Sequence, residues 1–222
     1  MMKRIPEPEL MVDAEQARAY AGADFSEPHQ AFVEHFRRRL AAHAPRKVVD
    51  LGCGPADISI RFARAFPECR VTGIDGSDAM LSLGREAVRA AGMTSRIELL
   101  QLHLPAGVPR SGGFDTLISN SLLHHLADPR VLWQTLKDAG AAGAAVLVMD
   151  LLRPQSVGRA TELVGEYCGG ESELLRRDFF HSLLAAYRPD EVRAQMAAAD
   201  LGECLRLEVV SDRHFIAWGD LS

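Results

Sequence analysis

From Lys47 onward the apolar positions follow two alternating rhythms, short runs that are apolar throughout and longer stretches that carry one apolar stripe. Val48-Val49-Asp50-Leu51 reads as a strand buried on both faces, followed by a glycine-rich turn and an amphipathic helix through Ile58, Phe62 and Phe66. Arg70 to Asp75 predicts a second strand, Asp78 to Ala91 a second helix and Ile97 to Gln101 a third strand. Phe114 to Ser119 predicts the fourth strand, Pro129 to Ala139 a helix opened by Asp128 as its cap, and Ala144 to Leu151 the fifth strand. Buried strands alternating with helices predict an α/β fold built on a doubly wound, mostly parallel sheet. Ligands of such sheets bind outside the carboxyl ends of the strands.

The flanks break this rhythm. The first forty residues read as helical, with Ser26 as an N-cap, Pro28 in the first turn and Phe32, Phe36 and Leu40 as one stripe. Residues 155 to 187 are helical in pattern, punctuated by Gly165, Gly169 and Gly170, and Pro189-Asp190-Glu191 opens a further helix through about Ala199. Leu205 to Val210 and His214 to Trp218 read as strands whose short link, Ser211-Asp212-Arg213, predicts an antiparallel hairpin. The expected organisation is one domain over residues 1–222: an N-terminal helical lid (1–45), a core (46–152), a helical insert (153–188), and a closing helix with a strand pair (189–222).

Length and composition narrow the function. A chain of 222 residues suits one α/β domain, and 47% hydrophobic with 25% charged residues is ordinary for a folded soluble protein. Acidic and basic residues interleave around a net charge of -5, which argues against a nucleic-acid partner. The first residues lack the apolar stretch of a signal peptide, and no run approaches the ~20 apolar residues of a membrane span. Cys53, Cys69, Cys168 and Cys204 form no C-x-x-C pair, so neither a disulfide framework nor a zinc site is expected, and a reducing cytoplasm fits best.

The sharpest chemical signal is Asp50-Leu51-Gly52-Cys53-Gly54-Pro55-Ala56, where the first strand hands over to the first helix of the core. Gly52 and Gly54 permit a tight turn and let a ligand lie against the backbone. A dinucleotide fingerprint needs glycine at position 57, where this chain has Asp57, and Pro55 removes an N–H that would cradle a phosphate. A phosphate-free, cationic nucleoside such as S-adenosylmethionine therefore suits the loop better than NAD. Asp75, ending the second strand in Gly73-Ile74-Asp75-Gly76-Ser77, stands where a carboxylate accepts from both ribose hydroxyls. It can also be a helix cap, a role that Ser77 can fill instead. Met80 can cover the adenine with its thioether.

From about Lys47 to Trp218 the chain resembles a class I S-adenosylmethionine-dependent methyltransferase of the broad small-molecule type. The resemblance rests on Val48 to Gly54, on Gly73-Ile74-Asp75, on Phe114 to Asn120 and on Leu122-Leu123-His124-His125-Leu126. It implies a Rossmann-like seven-stranded sheet whose last strand is antiparallel. It further implies S-adenosylmethionine as cofactor, held by residues Asp50 to Gly54, Asp75, Gly76 and Met80. Two departures stand out: Ala56 replaces a frequent third glycine, and His103 replaces the acid that often bonds the adenine amino group, with Leu104 offering its backbone N–H to the ring.

Asn120 lies at the carboxyl edge where methyl donor and acceptor should meet, though it can equally close a turn. His124 and His125 are neighbours that cannot both face one way, so one of them, His124, is expected in the cleft; a structural role for both is the alternative. Asp150 either orients the acceptor or caps the segment after the fifth strand. His124, Asp150 and His181 are the candidates for receiving an acceptor's proton. The set that holds magnesium in catechol-type relatives is not reproduced, so no metal is expected. The expected partner is a small-molecule acceptor. A cofactor-binding protein without methyl transfer and an enzyme acting on a macromolecule remain the alternatives, and oligomeric state is open.

Overall fold

The computed structural model describes residues 2–7, 13–108 and 113–221. Five strands, β1 (Lys47–Leu51), β2 (Arg70–Asp75), β3 (Ile97–Gln101), β4 (Phe114–Asn120) and β5 (Gly140–Leu151), run parallel in one sheet. β6 (Leu205–Val209) and β7 (His214–Asp220) complete it in the order β3-β2-β1-β4-β5-β7-β6, with β7 antiparallel to both its neighbours. Strand order reverses between β1 and β4, which opens a crevice at their carboxyl ends.

Eight helices surround the sheet among the described residues: α1 (Ala14–Gly22), α2 (Ser26–Arg39), α3 (Asp57–Ala65), α4 (Asp78–Ala90), α5 (Arg130–Ala139), α6 (Val157–Cys168), α7 (Glu173–Ala185) and α8 (Pro189–Ala198). The period-two alternation of the strands sorts their side chains between two cores. Val49, Val146 and Val148 join Trp133 of α5 and Val192 of α8 on one face. Val48, Leu147 and Met149 join Phe32 and Phe36 of α2 and Phe62 of α3 on the other. There Phe36 meets Phe62 edge to face, with centroids 4.9 Å apart. The insert has a smaller core of its own, including Leu163, Val164, Leu183 and Leu184.

Three expectations need correction. β5 begins at Gly140 rather than Ala144, because α5 passes directly into it across a register shift between Phe114 and Thr116. The insert is helical as its pattern predicts, as two helices, with the chain breaking at Gly169-Gly170 and restarting with Ser172 capping α7. Helix α2 begins at Ser26, and the carboxylate that accepts the Ser26 N–H, at 2.9 Å, is that of Asp24. The first forty residues are not continuously helical: residues 2–7 are irregular and cross to α7, where the Ile5 N–H meets the Leu184 carbonyl at 3.0 Å. Pro6 and Pro8 disfavour helix in the residues before them; residues 1 and 8–12 lie outside the described residues.

Candidate active site

The turn after β1 is a backbone construction. Gly52 and Gly54 adopt φ of 72° and 51°, and Ala56 also sits in the left-handed region at 65°. A Cβ on Gly52 would lie 2.9 Å from the Leu122 side chain, whereas Gly54 faces open space. The Gly54 N–H donates to one oxygen of Asp75 at 2.9 Å and the Ser77 N–H to the other at 2.8 Å. Burial raises the Asp75 pKa while these two bonds oppose the rise. Each oxygen keeps a further lone pair, so the carboxylate can still accept from a diol. Ser77 does the capping, its Oγ accepting the Met80 N–H.

Two residues of this loop lie elsewhere than expected. The Cys53 side chain turns back onto β2, its Sγ 2.9 Å from where a Gly73 Cβ would stand, so Cys53 offers a ligand its backbone only. Asp50 is buried behind the loop, accepts from Ser59 Oγ at 2.6 Å, and has its pKa pushed up to about 7 by burial. It reaches only a recess of about 30 Å³ that Gly54 and Asn120 also line.

Above the loop lies a cavity of about 390 Å³, of a size that holds small ligands. Gly54, Asp75, Gly76, Met80, His103 and Leu104 line one end. Tyr167, Leu175, Phe179 and His214 line the other, and Tyr20, Phe25 and His29 add a wall from the N-terminal helices. Asn120 lies between, and its Oδ1 is buried with no hydrogen-bond partner. His29 Nδ1 contacts Asp57 Oδ2 at 2.6 Å, fastening α2 to the start of α3 beside the glycine turn.

At the far end His124 and His125 share one turn of 3-10 helix (Leu123–His125) and both line the cavity, contrary to the expectation that only one could. The rings stack with centroids 4.2 Å apart, which the tight turn allows and an extended segment would not. His124 Nδ1 lies 2.6 Å from Asp150 Oδ1, and Asp150 also accepts the N–H groups of Leu123 and Leu151. Burial would lower the His124 pKa; the Asp150 charge and hydrogen bond, with Glu7 beyond, override it and raise the pKa. Burial would raise that of Asp150, and His124 instead lowers it. Asp150 therefore stands behind His124 and not on the cavity wall. His181 is exposed on α7 and does not line the cavity, because Leu175, Asp178, Phe179 and Ser182 occupy the inward stripe.

Sequence reasoning missed three residues here. Arg4 donates to the carbonyls of His124 and Ala185 and stacks over the Tyr187 ring. Glu7 lies 3.4 Å from His124 Nε2 and 3.2 Å from His125 Nδ1. His214 lines the far end with its pKa lowered to about 4, by burial first and Arg213 second. No local pattern marks any of them; each is brought in by a distant segment.

Residues 48–142 match the model of a family described as a methyltransferase domain. The chain is 32% identical over 143 residues to a "probable fatty acid methyltransferase" of Pseudomonas putida, covering 61% of this chain and 36% of that one. It is 37% identical over 111 residues to a trans-aconitate 2-methyltransferase of Paracidovorax citrulli, covering 50% of this chain and 40% of the relative. The chain thus spans about two fifths of these curated relatives. A methyltransferase of Mycobacterium bovis aligns at 25% identity over 83% of this chain and 93% of its own length. Among solved structures, an S-adenosylmethionine-dependent methyltransferase from Aquifex aeolicus superposes with a TM-score of 0.68 at 15% identity, covering 95% of this chain and 99% of that one, and so shares the fold. Residues 48–142 of this chain thus resemble a methyltransferase domain, and its fold is that of the S-adenosylmethionine-dependent methyltransferase from Aquifex aeolicus. In this fold the glycine turn and the crevice at the strand reversal occupy the same edge as the cavity described above.

Proposed function

We propose that this methyltransferase transfers a methyl group from S-adenosylmethionine to a small-molecule acceptor and releases S-adenosylhomocysteine. The observation that carries the proposal is one cavity joining the glycine turn and Asp75 at one end to an aromatic-walled chamber at the other. The names of the curated relatives, a fatty acid and a trans-aconitate enzyme, support an acceptor of small size. Bound there, the cofactor supplies a methyl group on a sulfonium, which leaves as a neutral thioether. Asp75 accepts from the ribose hydroxyls; Gly52, Gly54 and the Cys53 backbone form the floor. Gly76, Met80, His103 and Leu104 enclose the adenine, and the orphaned Asn120 Oδ1 receives a donor of the ligand. Asp50 supports the loop from beneath.

The remaining work is positioning and exclusion of water, which can contribute up to ~7–11 kcal/mol. Tyr167 and Phe179 wall the acceptor, and the Asp150–His124 pair holds the turn behind it. An oxygen acceptor that still carries its proton becomes strongly acidic once methylated, so a weak base suffices, and neutral His214 is suited to take that proton. A reducing cytoplasm suits four cysteines that all stand free; among the described residues no helix is long and apolar enough to cross a membrane. Incubation with methyl-labelled S-adenosylmethionine and fractionated metabolite extract should yield a labelled small product and S-adenosylhomocysteine. Tight cofactor binding without label transfer to any fraction would instead make this a cofactor-binding protein.

A further inference from the structure

Glu7, His124 and His125 bring together one ligand atom each, all within 4.8 Å of one another. Their side chains are 11%, 2% and 15% exposed, so the cluster is enclosed and unlike a surface patch of acids. A tetrahedral ion with metal–ligand bonds of about 2.0–2.1 Å separates its ligand atoms by about 3.4 Å. Glu7 Oε1 stands 3.4 Å from His124 Nε2 and 3.2 Å from His125 Nδ1, so two of the three separations already have that value.

An independent observation lies behind the cluster. His124 Nδ1 is held by Asp150 at 2.6 Å, and Asp150 is itself anchored by two backbone N–H groups. With the ring proton on Nδ1, the lone pair of Nε2 turns towards Glu7. A carboxylate behind an imidazole in this way orients and strengthens it as a metal ligand. Glu7 is in turn steadied by Ser182 Oγ, which donates to its carboxylate at 3.0 Å.

We propose that Glu7, His124 and His125 bind a divalent transition-metal ion, zinc best matching two imidazoles and one carboxylate, which ties the N-terminal segment to the turn at the acceptor end. Imidazole donors disfavour magnesium and calcium, which take oxygen ligands. Three protein ligands leave a fourth position for water or for an acceptor heteroatom. The proposal does not require the assignment of the cofactor or of the acceptor.

The test is titration of tag-free, chelator-treated protein with Zn²⁺ by calorimetry and with Co²⁺ by visible absorption, alongside titration with S-adenosylhomocysteine. One ion per chain is expected, with the intense visible bands of tetrahedral cobalt. Glu7→Ala and His125→Ala should each weaken Zn²⁺ binding at least tenfold. Asp150→Asn should do so by about 10–100-fold. Because Glu7 belongs to the buried charged series, Glu7→Ala is read beside Glu7→Gln, which keeps the side-chain volume; both should lose zinc affinity, while an unchanged affinity for S-adenosylhomocysteine reports that the fold is intact. Zinc binding below one ion per chain, an octahedral cobalt spectrum, or the same zinc affinity in Glu7→Ala would overturn the proposal and leave the cluster an ion-paired latch. Failure of S-adenosylhomocysteine to bind while zinc binds would count against the proposed function and not against the ion site.

Discussion

The two ends of the cavity are held by different forces. At the cofactor end the geometry is local and made of backbone: two glycines in the left-handed region, and a carboxylate whose two oxygens each take an N–H from the adjoining turns. At the acceptor end it is made of charged side chains from segments far apart in the chain, with Asp150, His124 and Glu7 in one buried series. The backbone part of that cradle carries no ionisable group, and Asp75 is its one titratable member. A series of buried charges is stable only while every member is present, because removing one leaves its neighbour desolvated without a partner. Substitutions at the first end should therefore act on ligand affinity, and substitutions at the second on the integrity of the fold.

The largest effect expected is from His124→Ala, which leaves Asp150 buried without its counter-charge and should cost ~3–5 kcal/mol in denaturant unfolding. A loss below ~1 kcal/mol would show that the two backbone N–H groups alone satisfy Asp150 and that the contrast between the two ends is overdrawn. Next, Asp75→Ala should weaken S-adenosylhomocysteine binding by ~1.5–3 kcal/mol in calorimetry. Cofactor affinity equal to that of the unaltered, folded protein would remove Asp75 from the site.

Asp50 tests whether the cofactor end is as insensitive to pH as its backbone suggests. Its pKa rises from 3.8 to about 7 on folding, so the stability it contributes is complete below about 3.8 and is withdrawn as pH rises to about 7. That loss has a limiting slope of about 1.4 kcal/mol per pH unit, and Asp50→Asn should flatten the fall in stability over this window. An Asp50→Asn protein with an unaltered profile would show that Asp50 ionises without penalty. The smallest effect expected is that of Ser77→Ala, which removes the cap of α4 and should cost about 1 kcal/mol of stability while cofactor affinity changes little. A many-fold loss of affinity would mean that the cap also orders the Asp75 turn.

Of the element boundaries, β2 and β3 coincide with the sequence expectation, and the hairpin of β6 and β7 forms as its short link predicts. Periodicity carries such elements because burial of their side chains is decided within a few residues. That Gly52, Gly54, Asp75, Gly76 and Met80 share one cavity wall was legible for the same reason, since all lie within two strand-to-helix connections. The exposure of His181 was not legible because sequence alone does not say which stripe of α7 the cavity selects, and Leu175, Asp178, Phe179 and Ser182 occupy it.

What the sequence determined by itself was the order of strands and helices and the tight turn after β1, because each depends on backbone freedom and apolar spacing over short distances. Only the tertiary structure decided the acceptor end. Arg4 and Glu7 reach residues more than a hundred positions away, Asp150 turns to His124 across the gap between β5 and the turn after β4, and His214 enters from the start of β7. The pKa of each of Glu7 and His124 is set by which distant charges and apolar groups displace water around it, and no stretch of sequence contains that information.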